Sequence, residues 1–184
     1  MKLLESVLWI SGVTLLLFYV GAHAWGLSEQ RNGVSAFHEA QRLVRADRAP
    51  IEPSVVAVLR IPGIELEVPV NYGTAEPVLR RGAGLVKGSA APGSHGNVAI
   101  AAHRDTYFRG LKDVALGDLI ELEILDRTLT YRVTELSVVE PTDVRVLADT
   151  GEPVLTLVTC YPFYFVGHAP QRYIVRAVQA EVST

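Results

Sequence analysis

Cys160 is the single cysteine of the chain and its only thiol nucleophile. A cysteine that forms an acyl-enzyme needs a base to take its proton, and donors to hold the oxyanion that follows attack. An unperturbed thiol, with a pKa of about 8.5, is only a few per cent thiolate at neutral pH, so a partner matters. Five histidines are available. His23 lies in an apolar run and His38 in the segment after it. His95 sits in the loop Gly93-Ser94-His95-Gly96, and His103 opens His103-Arg104-Asp105. His168 follows Cys160 at short range. Spacing alone leaves His95, His103 and His168 open. Arg172, twelve residues past the cysteine, is a permanent cation with up to five donors. The plain alternatives are a cysteine that only packs, a structural histidine and a solvated strand arginine.

The elements that must position these residues read mostly as strands. Val55 to Ile61 is rich in β-branched residues, and Pro62-Gly63 marks a turn. Ile64, Leu66, Val68 and Val70 alternate with more polar positions, as in a half-buried strand. Thr74 to Arg81 fits one short helix ended by Gly82. Asn97 to Ala102 is a small-residue strand that delivers His103. Ile120, Leu122 and Ile124 alternate, as do Leu129, Tyr131 and Val133. The phase then slips near Thr134-Glu135, which predicts a bulge. Val154 to Thr159 predicts a buried strand whose C-terminal end carries Cys160, a rigid mount for a side chain that must emerge into a cleft. Tyr161-Pro162 opens the next loop, and Arg172 begins the last alternating strand. Eight short strands without a long helix between them predict an all-β domain, a small closed barrel or a sandwich.

The N-terminus is different. Ser6 to Leu27 lacks Lys, Arg, Asp and Glu, and Trp9 and Trp25 flank the run as interfacial residues do. The run predicts a membrane anchor over residues 1–27. A cleavable signal peptide is the rival, since Ala22-His23-Ala24 fits a small-x-small cleavage pattern. Residues 28–53 read as a juxtamembrane helix or a solvated stalk, with Val34, Phe37, Gln41 and Val44 near one face and Pro50 and Pro53 closing the segment. Residues 54–184 form the predicted domain. Lys and Arg counting does not settle which side of the membrane it occupies. Hydrophobic residues make up 49% of the chain, which the anchor explains, and the net charge of −3 argues against nucleic-acid binding.

Thr156-Leu157-Val158-Thr159-Cys160 resembles the Thr-Leu-x-Thr-Cys signature of the sortases. His103, within Ala101-Ala102-His103-Arg104-Asp105-Thr106, is similar to the family's histidine segment, and Arg172 to the arginine after its cysteine strand. The resemblance runs from about Val55 to Val178. Val158-Thr159-Cys160-Tyr161-Pro162-Phe163-Tyr164 looks most like class D and E sortases and the related proteobacterial class.

The resemblance implies a closed eight-stranded β-barrel with short helices, behind a single transmembrane helix in the bacterial cytoplasmic membrane, with the catalytic domain facing outward. It implies a cysteine transpeptidase that cuts a Leu-Pro-x-Thr-Gly-like sorting motif in a secreted surface protein and passes the acyl group to an amine acceptor. It implies Cys160 as nucleophile, His103 as general acid and base, and Arg172 as oxyanion holder. Thr159 is similar to a family threonine that helps to position substrate. Tyr161 and Phe163 are candidate walls of the substrate groove. No triad carboxylate is required, which leaves Asp105 to cap the following turn. Some sortases bind calcium; here Asp113, Asp118, Glu140, Asp143, Asp149 and Glu152 are scattered oxygen ligands, and no metal or other cofactor is expected. A cysteine protease using the same acyl-enzyme, and a membrane-tethered peptide-binding barrel without chemistry, are the competing functions.

Overall fold

In the computed structural model, residues 2–45, 55–164 and 167–180 are described; for 2–5, 8, 22–30 and 43–45 this covers the backbone alone. The expected closing prolines, Pro50 and Pro53, and the side chain of Trp25 fall outside this description. Helix α1 (Lys2–Arg45) is followed by β1 (Val55–Ile61), β2 (Leu66–Tyr72), the short α2 (Glu76–Leu79), β3 (Ala83–Leu85) and β4 (Asn97–Ala101). Then come β5 (Leu119–Glu123), β6 (Thr128–Val139), β7 (Val154–Tyr161) and β8 (Gln171–Gln179).

The eight strands close into a barrel in the order β1-β2-β3-β4-β7-β8-β6-β5. Closure leaves no unpaired sheet edge. The period-two pattern fills the interior: Leu59 and Ile61 of β1, Val98 and Ile100 of β4, Ile120 and Leu122 of β5, Leu155 and Leu157 of β7 and Val175 of β8 are all fully buried in one cluster. The bulge expected near Thr134-Glu135 is present, where the β6–β8 register shifts between Val133 and Glu135.

Two pairings in the barrel are parallel, β2 with β3 and β4 with β7. The first is bridged by α2, a short crossover with little room. A Cβ on Gly84 would lie 2.1 Å from the Gly73 carbonyl oxygen, and one on Gly82 would lie 2.4 Å from that of Pro69. Glycine at both positions therefore lets β3 lie against β2 with α2 folded across the end.

Helix α1 runs unbroken through the expected boundary at residue 27 and through Gly33, which abuts the Pro69 ring. Its C-terminal part docks on the barrel. Phe37 is fully buried with Val55 and Val58, and Val34 and Leu125 pack around them. Gln41 is buried as well and donates to the Ile124 carbonyl at 3.2 Å. The N-terminal part is bare: Trp9, Ile10, Leu15, Leu16, Leu17 and Phe18 are exposed. Among the described residues no helix is long and apolar enough to cross a membrane. The described side chains of residues 9–21 rise about 20 Å, against a hydrocarbon core of about 30 Å.

Candidate active site

The β4–β7 ladder is parallel, pairing Asn97 with Val154 and Ala101 with Val158, a constant offset of 57 (154 − 97 = 158 − 101 = 57). Carried on, it sets Ala102 level with Thr159 and His103 level with Cys160. Two bonds extend the pairing beyond the strand. Ala102 N–H donates to the Val158 carbonyl at 3.3 Å, and the Thr159 hydroxyl donates to the Ala102 carbonyl at 2.8 Å. On the other flank β7 pairs antiparallel with β8, and Cys160 stands directly opposite Arg172. Neighbouring strands are about 4.8 Å apart. Cys160 thus stands between the head of β8, which carries Arg172, and the segment just past β4, which carries His103.

All three have intermediate exposure, half sunk into the barrel rim. Strand β7 continues one residue past the cysteine to Tyr161, where the loop was expected to begin. Arg172 Nη1 donates to the carbonyls of Gln171 at 3.0 Å and Ala169 at 3.4 Å, which orients the guanidinium at the head of β8. Of the other histidines, His38 lies on α1 beside Glu123 and Arg60. His95 sits in the turn before β4 and His168 is exposed in the loop after β7; neither shares the rung of Cys160.

The expected substrate contacts divide. Thr159 is buried and its hydroxyl is spent on Ala102, so it fixes the backbone that carries His103. Tyr161 and Phe163 are half-buried and join Tyr173 in an aromatic cluster with ring centroids 5.3 to 6.0 Å apart. Phe163 and Tyr173 also pack on the barrel core. Tyr161 and Tyr173 share the inward sheet face of Leu157 and Val175, so the cluster closes this end of the barrel core on the face opposite Cys160 and Arg172. Burial, with Tyr161 adding to it, pushes the Tyr173 phenol above its ordinary value.

Two residues that the sequence did not single out reach this site. The Glu76 carboxylate, on α2, lies 3.4 Å from His103 Nε2 through one oxygen and accepts from Arg80 Nε at 3.0 Å through the other. The Arg80 hydrogen bond first, and the nearby His103, hold the Glu76 carboxyl below the usual carboxylate range. Arg104 donates from Nη1 to the Pro162 carbonyl and from Nη2 to that of Gly167, each at 3.0 Å, tying the histidine segment to the loop after the cysteine. No local pattern marks Glu76, because its partner is 27 residues away and is met only through the α2 crossover.

Four of the six dispersed carboxylates are engaged locally. Asp113 pairs with Lys112, Asp118 accepts from the Ala115 N–H, Asp143 pairs with Arg145, and Asp149 accepts from the Gly151 N–H. Among the described residues no group of three metal-ligating side chains gathers. The turn after His103 is closed by backbone bonds, Phe108 N–H to the His103 carbonyl and Arg109 N–H to that of Thr106.

The model of the sortase domain matches residues 59–180. The chain belongs to the sortase family. It is 34% identical over 132 residues to a sortase D of Bacillus subtilis, a match covering 71% of this chain and 67% of that protein. A sortase A of Streptococcus agalactiae is 33% identical over 132 residues, but the match covers only 52% of its length. Among solved structures, the barrel is similar to a Clostridium perfringens sortase D5 transpeptidase, with a TM-score of 0.72 and 26% identity over 84% of this chain and 99% of that one. The family's enzymes are cysteine transpeptidases, and this sortase is an enzyme of that kind.

Proposed function

We propose that this sortase is a membrane-tethered enzyme that cuts a sorting motif in a secreted protein and joins the new C-terminus to an amine. The observation that supports the assignment of roles is the register, which sets Cys160 opposite Arg172 and runs the parallel β4–β7 pairing to Ala101 and Val158, two residues short of His103 and Cys160. The Cys160 thiolate attacks the carbonyl carbon of the scissile peptide and forms a C–S bond. Arg172 donates to the oxyanion of the tetrahedral intermediate. The C–N bond then breaks, and His103 protonates the departing amine. In the second half the incoming amine attacks the thioester and yields its proton to His103, and the Cys160 thiolate leaves. The sortase resemblance points to a Leu-Pro-x-Thr-Gly-like motif and a class D-like specificity.

The anchor belongs to the same reading. The bare apolar side chains of α1 before residue 21 have no barrel surface to cover them. A lipid bilayer is the environment that suits them, with the barrel on its outer face.

The test is to incubate the full chain in detergent micelles with a panel of sorting-motif peptides and a small amine, and to read the products by mass spectrometry. A peptide cut after one residue and joined to the amine, and no product with Cys160→Ala or His103→Ala, is expected. Free acid alone in the presence of ample amine points to a protease. No adduct on Cys160 with any peptide or thiol-directed probe overturns the reading.

A further inference from the structure

The crossover that joins β2 to β3 brings a carboxylate to Nε2 of the His103 imidazole. Glu76 is bifunctional there, with one oxygen on Arg80 Nε at 3.0 Å and the other 3.4 Å from His103 Nε2. A second tie joins the same two segments. The Tyr107 hydroxyl donates to the Arg80 carbonyl at 3.1 Å, so the residue that holds Glu76 is itself held by the loop that begins at His103. Gly82 and Gly84 let the segment after α2 lie close against the Pro69 and Gly73 carbonyls, which a Cβ at either position would meet at 2.4 and 2.1 Å. Helix α2 and the histidine loop therefore form one cross-braced unit, reached from opposite sides of the β3–β4 pair.

A neutral or charged imidazole rotates about its side-chain bonds unless something fixes it. Which ring nitrogen carries the proton is set by the hydrogen bond that the other makes. A carboxylate at one nitrogen both orients the ring and stabilises the imidazolium that forms during proton transfer. Among the described residues, Glu76 of α2 lies against His103 with Arg80 behind it, and Arg104 and Asp105 follow it in the chain.

We propose that Glu76 is a positioning residue for the transpeptidation: its carboxylate, braced by Arg80, engages the Nε2 edge of His103 and leaves Nδ1 to exchange the proton with the amines. This rests on the reading above, in which His103 and Cys160 do the chemistry. Glu76 touches neither substrate nor thiol, so its loss acts on turnover rather than on binding.

The test uses the full chain in detergent with a sorting-motif peptide and a small amine. Glu76→Gln is expected to lower kcat about tenfold with KM within about twofold, because proton transfer is worth about 10²–10⁴ and loss of orientation forfeits part of it. Glu76→Asp restores part of the loss, and Arg80→Ala costs about threefold by loosening the carboxylate. The ring 15N shifts of His103, recorded in Cys160→Ala, are expected to report a proton on Nε2, and Glu76→Ala to abolish that preference. A KM effect with kcat unchanged, or an unaltered tautomer in Glu76→Ala, overturns the proposal while leaving the roles of Cys160 and His103 intact. Full activity in His103→Ala overturns the reading beneath it instead.

Discussion

The rim proposed as the catalytic site and the α1 docking flank are built from the same barrel but on different principles. At the rim, His103, Cys160 and Arg172 are half-exposed, Cys160 and Arg172 are paired by ladder register, and His103 follows the end of the parallel β4–β7 pairing. At the flank, Phe37 and Val58 are fully buried, and Arg60 reaches Glu123 at 2.5 Å, Glu67 at 3.2 Å and His38 at 3.2 Å. Register places side chains at almost no cost in burial, so rim residues can be removed with the fold intact. Docking depends on area removed from water, so its residues carry stability and little chemistry.

The sharpest way to break that contrast is to exchange the two kinds of loss. Arg172→Ala is expected to cut kcat by about 10²–10³, the usual cost of one oxyanion donor. Its free energy of unfolding should stay within about 1 kcal/mol of the parent, as for a side chain that is not core. Phe37→Ala should do the reverse, with about 3 kcal/mol of stability lost to the cavity and kcat within about twofold, since the ladder is untouched. Turnover and denaturant unfolding of both variants in micelles decide it. A Phe37→Ala protein that is as stable as the parent would mean that α1 is laid on the barrel rather than docked.

Thr159→Val tests the seam between the two principles. The residue is core by burial and rim by position, and its hydroxyl closes the rung below His103. Removing it leaves the buried Ala102 carbonyl short of a donor, at about 1–2 kcal/mol. Because the same bond fixes the backbone that presents His103, kcat should also fall, by about threefold. Loss of stability with kcat unchanged would show that β4 holds His103 without this bond.

The rim was more legible in sequence than the flank, and the reasons are physical. Alternation of apolar residues follows from the pleat, so β5, β6 and β8 could be read directly, and the phase slip at Thr134 marked the bulge. The cysteine, histidine and arginine could be named from their types and from the sortase-like segments around them. Their geometry could not, because spacing left three histidines open and only the parallel β4–β7 pairing makes His103 level with Cys160. Glu76 stayed invisible for the same reason, as did the use of Thr159, whose neighbour is 57 residues away. On α1, the face of Val34, Phe37 and Gln41 was readable from helical spacing. The partners it would meet were not, since Arg60 and Glu123 become neighbours only when β1 pairs with β5.

The weakest expected effect concerns pH, and it locates the acid sensitivity of the molecule. Burial alone would raise the Glu123 carboxyl, but the hydrogen bonds from Arg60 and Gln41 outweigh it and hold it below the usual carboxylate range. A carboxyl lowered on folding contributes stability above its unfolded value, near 4.5, and loses it as pH falls through the lowered one. Stability should therefore be flat from neutral pH to about pH 5 and decline below that. Glu123→Gln should remove about 1 kcal/mol of the acid-induced loss, a modest figure because Arg60 is partly open to solvent and screened. Unfolding midpoints at several pH values below 5 measure it. Glu76 and Asp143 are lowered too, through Arg80 and Arg145, but Glu76, Arg80 and Arg145 lie open to solvent, where water weakens such pairs. If Glu123→Gln keeps the full acid loss, these two carboxylates carry it together, and the docking flank would then owe its strength to Phe37 and its apolar neighbours rather than to its charges.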